Sequence, residues 1–193
     1  MALAHKGLEH ETVSVDIRRA SDARERTGYA AVNALGQVPV LEWSDRGQVH
    51  RIAQSLAIIE LLEELSPQPA LWPTVPLLRA RARELAGMVQ AGTQPLQNNY
   101  VLGRIAAGGG DERAWARHFL ERGLQALERV ACETAGRFLV GDAPSAADFF
   151  LGPQLFNARR YDCSLDGIEV LLAAERNLAA LPIYGATHPD SGA

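Results

Sequence analysis

The chain has 193 residues, of which 47% are hydrophobic and 22% are charged, as in ordinary folded globular proteins. This composition excludes intrinsic disorder, because a disordered chain combines few apolar residues with a large net charge. The formal charge of −4 argues against nucleic acid as the main partner, since phosphate binding needs a concentrated basic face. No apolar run reaches the roughly 20 residues that a membrane-spanning helix needs, so we expect no membrane partner.

The chain opens on a pattern that is typical of the end of a helix. Lys6 stands in the predicted last turn and Gly7 follows it as the C-cap. The pattern contains no N-cap and no preceding strand. We therefore expect the chain to begin inside an element.

The residues that follow predict a small α/β unit. β-Branched residues alternate with polar ones over 11–17, which is the period of a half-buried strand. A turn sequence at 45–47 predicts an antiparallel hairpin of strands 39–43 and 48–52. Apolar residues at helical spacing predict a helix over 54–65.

The character of the sequence changes after residue 66. Prolines at 66–73 end the preceding helix and predict a linker, because proline lacks the N–H donor and disfavours helix in the residue before it. Ser145 and Asp148 have the spacing of a capping box. The predicted helices are 76–106, 112–134, 145–161 and 167–179. We predict two domains, an α/β unit at 1–66 and an all-helical unit at 74–193.

Two motifs in the first unit have both a structural and a functional interpretation. A proline at a strand start, as in Val38-Pro39, is normally trans and structural. A cis-proline would instead turn the backbone of Val38 outward to pair with a peptide-like ligand. Ser55 either caps the following helix or, with Gln54 and free N–H groups, binds a carboxylate at the helix N-terminus. The sequence leaves both pairs of alternatives open.

Two polar segments of the helical unit have similar alternatives. Pro95 would kink its helix, and the amides around it either face a cleft or form a solvated surface, at a cost in helix propensity. These amides are Gln94, Gln97, Asn98 and Asn99. Arg159 and Arg160 could grip a carboxylate with paired hydrogen bonds, or could simply be cations favoured at a helix C-terminus.

The cysteines and histidines show no pattern that carries chemistry. Cys132 and Cys163 are too few for a disulfide framework and too isolated for a zinc site. The five histidines share no spacing suited to a metal or a catalytic triad. We therefore predict no metal and a cytosol-like redox environment, which indicates a cytoplasmic protein.

Five stretches of the sequence together resemble the zeta-class glutathione transferases, the family that includes maleylacetoacetate isomerase. QSLAIIE and GTQPLQN are specific to this class, whereas Val38-Pro39 and the Ser145–Asp148 box occur in glutathione transferases generally. With the linker, the matching stretches cover almost the whole chain. They are ALAHKGLEHETV at 2–13, NALGQVPVLE at 33–42, QSLAIIELLEE at 54–64, AGTQPLQNNYVL at 91–102 and VGDAPSAADFFLGPQLFNARRY at 140–161.

The resemblance implies a fold, a cofactor and a site. The fold is a thioredoxin-like N-terminal domain followed by the helical C-terminal domain of glutathione transferases, assembled as a homodimer. Glutathione would pair with the backbone of Val38 beside a cis Pro39 and place its γ-glutamyl carboxylate on Gln54 and Ser55. Arg160 would bind a carboxylate of a small dicarboxylate substrate. The further cleft residues implied for glutathione are Gln94, Asn98, Asn99 and Tyr100.

The implied reaction is the cis–trans isomerisation of maleylacetoacetate to fumarylacetoacetate in tyrosine and phenylalanine degradation. The thiolate of glutathione adds to the cis double bond, the resulting single bond rotates, and elimination leaves the trans isomer. Glutathione is returned unchanged and is therefore a cofactor. The alternatives within the class are maleylpyruvate isomerisation and general glutathione S-transferase activity.

The sequence also departs from the family pattern. The family's serine-rich, thiol-activating segment would lie upstream of Met1, so the catalytic residue is unassigned and the thioredoxin-like domain is expected to lack its first strand. A non-catalytic remnant of the fold is therefore a further alternative. Arg24 stands where the family commonly has glutamine, and the hairpin over 43–50 is longer.

Overall fold

A computed structural model of the chain describes residues 1–16 and 26–188. Its short first helices and its hairpin precede a larger set of helices. In chain order the elements are α1 (Ala2–His5), α2 (Arg26–Tyr29), β1 (Val40–Asp45), β2 (Gln48–Ala53), α3 (Ser55–Leu65), α4 (Pro76–Gly87), a π-helical turn (Met88–Thr93), a 3-10 turn (Gln94–Gln97), α5 (Asn99–Ala107), α6 (Glu112–Ala131), α7 (Ala146–Arg160), α8 (Glu169–Ala179) and α9 (Pro182–Ala186).

The predicted hairpin is confirmed. β1 and β2 pair antiparallel from Val40 opposite Ala53 to Asp45 opposite Gln48. The two turn residues, Arg46 and Gly47, both have positive φ, at 48° and 82°. Two consecutive left-handed residues match the right-handed twist of the strands they join, which explains the tight turn.

The strand predicted over 11–17 is wrong for the residues that the structure describes. Residues 11–16 have no ladder partner, and the sheet formed by the described residues is the β1–β2 hairpin. A strand exists only where a neighbouring strand accepts its hydrogen bonds, and Val13 is 77% exposed, so its apolar alternation faces no core. Ile17 and Arg24 lie outside the described residues.

The helix end predicted at Lys6 and Gly7 is confirmed. Lys6 is the C-cap of α1, and Gly7 takes the left-handed conformation with φ 63°. The Leu8 N–H donates back to the Leu3 carbonyl at 3.0 Å, a bond that this left-handed turn makes possible. The chain therefore turns sharply away from α1.

A buried lysine ties α1 to the end of α3 and to the linker. Lys6 Nζ lies 2.7 Å from Glu63 Oε2, and the lysine side chain is 0% exposed. Its other protons go to the carbonyls of Ser66 and Pro69, the latter at 3.1 Å. Glu63 also accepts the Leu71 N–H, at 3.0 Å to Oε2. One ion pair thus holds three segments together.

The helical unit is organised around α7, and its predicted capping box is confirmed. Asp148 Oδ2 accepts the Ser145 N–H at 2.8 Å and Oδ1 accepts the Leu139 N–H at 2.9 Å. Leu151 and Leu155 of α7 are completely buried. The other fully buried leucines are Leu71, Leu85, Leu120, Leu127, Leu139, Leu171 and Leu178.

The single helix predicted over 76–106 is wrong. α4 ends at Gly87, and a π-helical turn and a 3-10 turn intervene before α5 begins at Asn99. Pro95 has no N–H to donate, and its ring would clash with the preceding turn of an α-helix. The helix over 54–65 and the last three helices are confirmed to within three residues at their ends. Helix α9 was not predicted.

Within residues 1–16 and 26–188, the structure contains no helix of the length and apolar character needed to cross a membrane. The division into domains at 1–66 and 74–193 stays a prediction. The linker is bonded to both predicted units, since Glu63 accepts the Leu71 N–H at 3.0 Å and the Leu71 carbonyl accepts the Ala146 N–H at 2.8 Å.

His5 lies where α1 meets α7, and its titration is expected to make the free energy of unfolding depend on pH. Its ring packs edge-on against Phe149 of α7, with centroids 5.4 Å apart. Burial lowers the pKa of His5 below its usual 6.5, against a hydrogen bond to the Ala70 backbone that raises it, with smaller effects of Lys6 and Glu63. As the pH falls, His5 is therefore protonated at a higher pH in the unfolded chain than in the folded chain. We expect the free energy of unfolding to be highest above about pH 6.5. It should decrease as the pH falls from there towards the pKa of His5 in the folded chain.

Urea unfolding at a series of pH values between 7.5 and 5 measures this dependence. His5→Gln keeps a polar side chain without a titrating ring and is expected to flatten the decline. The same change at exposed His10 serves as the control and is expected to leave it unaltered. An identical decline in the His5→Gln variant would contradict the assignment.

Candidate functional site

The N-terminus of α3 is open. Ser55 is the first helical residue, and Gln54 occupies the N-cap with φ 75° and ψ 115°. No side chain of either residue caps the helix, so the interpretation of Ser55 as a helix cap is wrong. The hydroxyl of Ser55 has no hydrogen-bond partner among the described residues. This end of α3 therefore presents a hydroxyl, an amide side chain and the positive end of the helix dipole.

The partner of this helix end comes from the π-helical turn, 34 residues further along the chain. Leu56 N–H donates to Gln90 Oε1 at 3.1 Å. Gln90 Nε2 donates to Gln54 Oε1 at 3.3 Å. Sequence reasoning did not single out Gln90, because no local pattern marks a side chain that caps a distant helix.

Val38 and Pro39 stand immediately ahead of β1. Their peptide bond is cis, which is the alternative that the family resemblance implied, and Val38 is 46% exposed. The preceding loop is anchored by two side chains on the Gln37 carbonyl. Tyr29 Oη donates to it at 3.1 Å and Asn33 Nδ2 at 2.6 Å. These two bonds tie the residue before Val38 back to α2 and the turn after it. The sequence did not predict this role for Tyr29 and Asn33.

The amide-rich segment divides into a buried member and exposed ones. Gln97 is buried, donating to Gln154 Oε1 at 2.6 Å and accepting from Asn157 Nδ2 at 3.0 Å, so it links the 3-10 turn to α7. Its neighbours are half-buried or exposed, and none of them bonds Gln54 or Ser55 in the part of the chain that the structure describes. They are Gln94, Asn98, Asn99 and Tyr100.

A basic cleft of about 490 Å³ lies between α7, α8 and α9. Arg159 donates to both Glu175 oxygens, at 2.6 and 2.5 Å, and these bonds raise the pKa of Arg159. Arg160 and Arg176 also line the cleft and have no ion-pair partner among the described side chains. Of the two adjacent arginines, Arg160 is therefore the one free to meet an anion.

The cysteines lie in surroundings that do not activate a thiol. Burial raises the pKa of Cys163 to about 11, so its thiolate is scarce at neutral pH. Across residues 1–16 and 26–188, no group of three or more His, Cys, Asp or Glu side chains is placed to hold a metal ion.

Comparison with known proteins first defines the class. The family profile described as "Glutathione S-transferase, N-terminal domain" matches residues 1–65. A crystal structure of maleylacetoacetate isomerase from Anaeromyxobacter dehalogenans, with bound glutathione in its active site, superposes with a TM-score of 0.89. It is 45% identical over 98% of this chain and 87% of that chain. The fold is that of a glutathione transferase, with a thioredoxin-like N-terminal part and a helical bundle.

Curated relatives then define the family. A probable maleylacetoacetate isomerase from Drosophila melanogaster is 38% identical over 99% of this chain and 76% of its own length. The chain belongs to the maleylacetoacetate isomerase family of zeta-class glutathione transferases. A maleylpyruvate isomerase described as zeta class is more distant, at 31% identity over 98% of this chain and 91% of that chain, with a TM-score of 0.86.

Proposed function

We propose that the chain binds glutathione and uses it to convert maleylacetoacetate to fumarylacetoacetate. The observation that carries the proposal is the open N-terminus of α3 with Gln54 and the unbonded Ser55 hydroxyl, together with a cis Pro39 that the pairing of Val40 with Ala53 brings to the same end of the hairpin. The relatives of this chain are named maleylacetoacetate isomerases, which supports the same substrate here.

The residues around α3 fit glutathione. A carboxylate is stabilised at a helix N-terminus by the dipole and by free donors, which Ser55 and the amide of Gln54 supply here. Val38 is 46% exposed, and its backbone makes no backbone hydrogen bond among the described residues, so it is available to a peptide-like ligand. When bound, glutathione supplies the thiolate that adds to the double bond and leaves it again. The glutathione site that we propose is completed by Gln94, Asn98, Asn99 and Tyr100.

Arg160 fits the substrate. Its guanidinium can meet a carboxylate with two parallel hydrogen bonds, and the surrounding positive charge stabilises an enolate that develops beside it. The Anaeromyxobacter isomerase has also been crystallised with dicarboxyethyl glutathione and citrate in its active site, which supports a site for polycarboxylates. We assign the activation of the thiol to none of the described residues.

Replacing Arg160 tests this role. We expect Arg160→Ala to raise KM for the dicarboxylate about 10–100-fold, which corresponds to the loss of about 1.5–3 kcal/mol in charge-assisted hydrogen bonds, and to leave glutathione affinity nearly unchanged. Arg104 also lies near the C-terminus of its helix and is exposed, so Arg104→Ala is the matched control. Equal losses for both ligands, or for both variants, would contradict the assignment.

The function itself is tested with the purified chain. Calorimetry measures glutathione binding, and conversion of the cis to the trans keto acid is followed with maleylacetoacetate and glutathione. Maleylpyruvate is the second substrate to assay, because a maleylpyruvate isomerase is among the structural neighbours. Turnover of maleylpyruvate alone would move the assignment to that enzyme, and absence of glutathione binding would overturn it.

The remaining parts of the proposal concern the setting of the enzyme. We place it in the cytoplasm, in the degradation of tyrosine and phenylalanine, and as a homodimer. Support for a dimer comes from large apolar side chains left exposed around the linker, with Leu65 at 47%, Val75 at 52% and Leu77 at 76%. Light scattering of the purified chain tests the assembly.

A further inference from the structure

We propose that Gln90 is a positioning residue for the glutathione-binding end of α3, an inference that rests on the proposed function. Gln90 belongs to the helical unit, and its side chain reaches α3 from the π-helical turn. It bonds the Leu56 N–H and the Gln54 side chain together. The carboxylate subsite is thereby assembled from two parts of the chain.

The need for such a residue follows from the conformation of α3. The first N–H groups of a helix have no partner within the helix, and the N-cap side chain usually supplies one. Gln54, the N-cap residue with φ 75°, makes no such bond here. Gln90 takes the Leu56 N–H instead, and Ser55 is left without a competing side chain.

The second bond of Gln90 fixes the orientation of Gln54. With Gln90 Nε2 donating to Gln54 Oε1, the Gln54 Nε2 group is left to donate to an incoming carboxylate. Only a side chain that accepts and donates at once can make both bonds. A glutamine satisfies this condition, whereas methionine cannot donate and accepts only weakly, and an ionised glutamate only accepts.

The π-helical turn explains how Gln90 reaches α3. A π-helical turn holds more residues than an α-helical one and therefore redirects the side chains it carries, and such turns are frequent at functional sites. It is packed tightly against α6, since a Cβ added at Gly123 would lie 2.7 Å from Thr93 Cγ2. A second polar contact, Arg83 Nε to Glu60 Oε1 at 2.7 Å, joins α4 to α3 away from the helix end.

Calorimetry with glutathione on the full chain tests the proposal. We expect Gln90→Met to weaken glutathione binding about tenfold, the equivalent of one to two lost hydrogen bonds. Arg83→Met removes the polar contact between α4 and α3 and is expected to leave the affinity within about twofold of the unaltered chain. Equal effects of the two variants would show a merely structural contact and overturn the proposal.

Two further measurements separate positioning from stability. In a Gln54→Ala background, Gln90→Met is expected to cost much less affinity, since coupled residues are not additive. Gln90→Glu is expected to bind weakly at neutral pH and to recover as the pH falls below about 4.3, where most of the glutamate is protonated and donates again, whereas Gln90→Met shows no recovery. Additive losses, or no recovery, overturn the proposal.

The outcomes also distinguish this inference from the function on which it rests. If the unaltered chain and the Gln90→Met variant bind glutathione equally well, the positioning role alone is refuted. No binding by the unaltered chain refutes the proposed function, and the positioning role with it.

Discussion

Asp148→Ala is expected to destabilise the fold by about 3–5 kcal/mol, since the loss of its carboxylate leaves buried donors without partners, at about 1–3 kcal/mol each. The donors are the Leu139 N–H, the Ser145 N–H and the Ser145 hydroxyl, within 2.8 to 3.0 Å of the carboxylate. Asp148 itself is completely buried, so water cannot replace the lost bonds. Urea unfolding measures the difference.

Asp111 provides a matched control for this prediction. It caps α6 by accepting the N–H groups of Arg113 and Ala114 at 2.9 and 3.0 Å, but it is exposed. Because water can satisfy the freed donors there, Asp111→Ala is expected to cost about 1 kcal/mol. Equal losses in the two variants would show that burial does not set the cost of removing a cap.

Lys6→Met is expected to cost about 3–5 kcal/mol, because removing one partner of a buried ion pair leaves the other charge uncompensated. Glu63 would keep only the Leu71 N–H, and the carbonyls of Ser66 and Pro69 would each lose a donor. The variant would therefore loosen α1, α3 and the linker at the same time. A lower urea midpoint is the expected result.

An exposed ion pair of the same length serves as the comparison. Arg51 Nε lies 2.7 Å from Glu42 Oε1 across the β1–β2 ladder, and both side chains are about half exposed, at 48% and 53%. Solvent screens this pair, so Arg51→Met is expected to change stability by less than about 1 kcal/mol. A loss for Lys6→Met no larger than this would contradict a structural role for the buried pair.

The elements that could be predicted from the sequence are those set by neighbouring residues. The hairpin follows from turn residues that accept positive φ, and the capping box of α7 from two polar residues at a fixed spacing. The end of α1 follows likewise from Gly7. In each case the contacts that decide the structure lie within a few positions along the chain.

One of the predictions that failed depended on a distant partner. The alternation over 11–17 is the same whether or not a neighbouring strand is present, so the sequence cannot distinguish a strand from an extended segment there. The helix over 76–106 failed for a local reason: Pro95 was expected to kink the helix, but side-chain spacing does not reveal that π-helical and 3-10 turns replace the α-helix around it.

For the site, the sequence determined the residue types, and the family resemblance implied the ligands: glutathione, with a carboxylate on Gln54 and Ser55, and a small dicarboxylate on Arg160. The tertiary structure adds that Glu175 on another helix binds Arg159, whereas Arg160, which the resemblance already implied, has no ion-pair partner among the described side chains. It also brought Gln90 to the end of α3. Hydrogen bonds and ion pairs between distant segments depend on how the helices pack, and no local pattern encodes that packing.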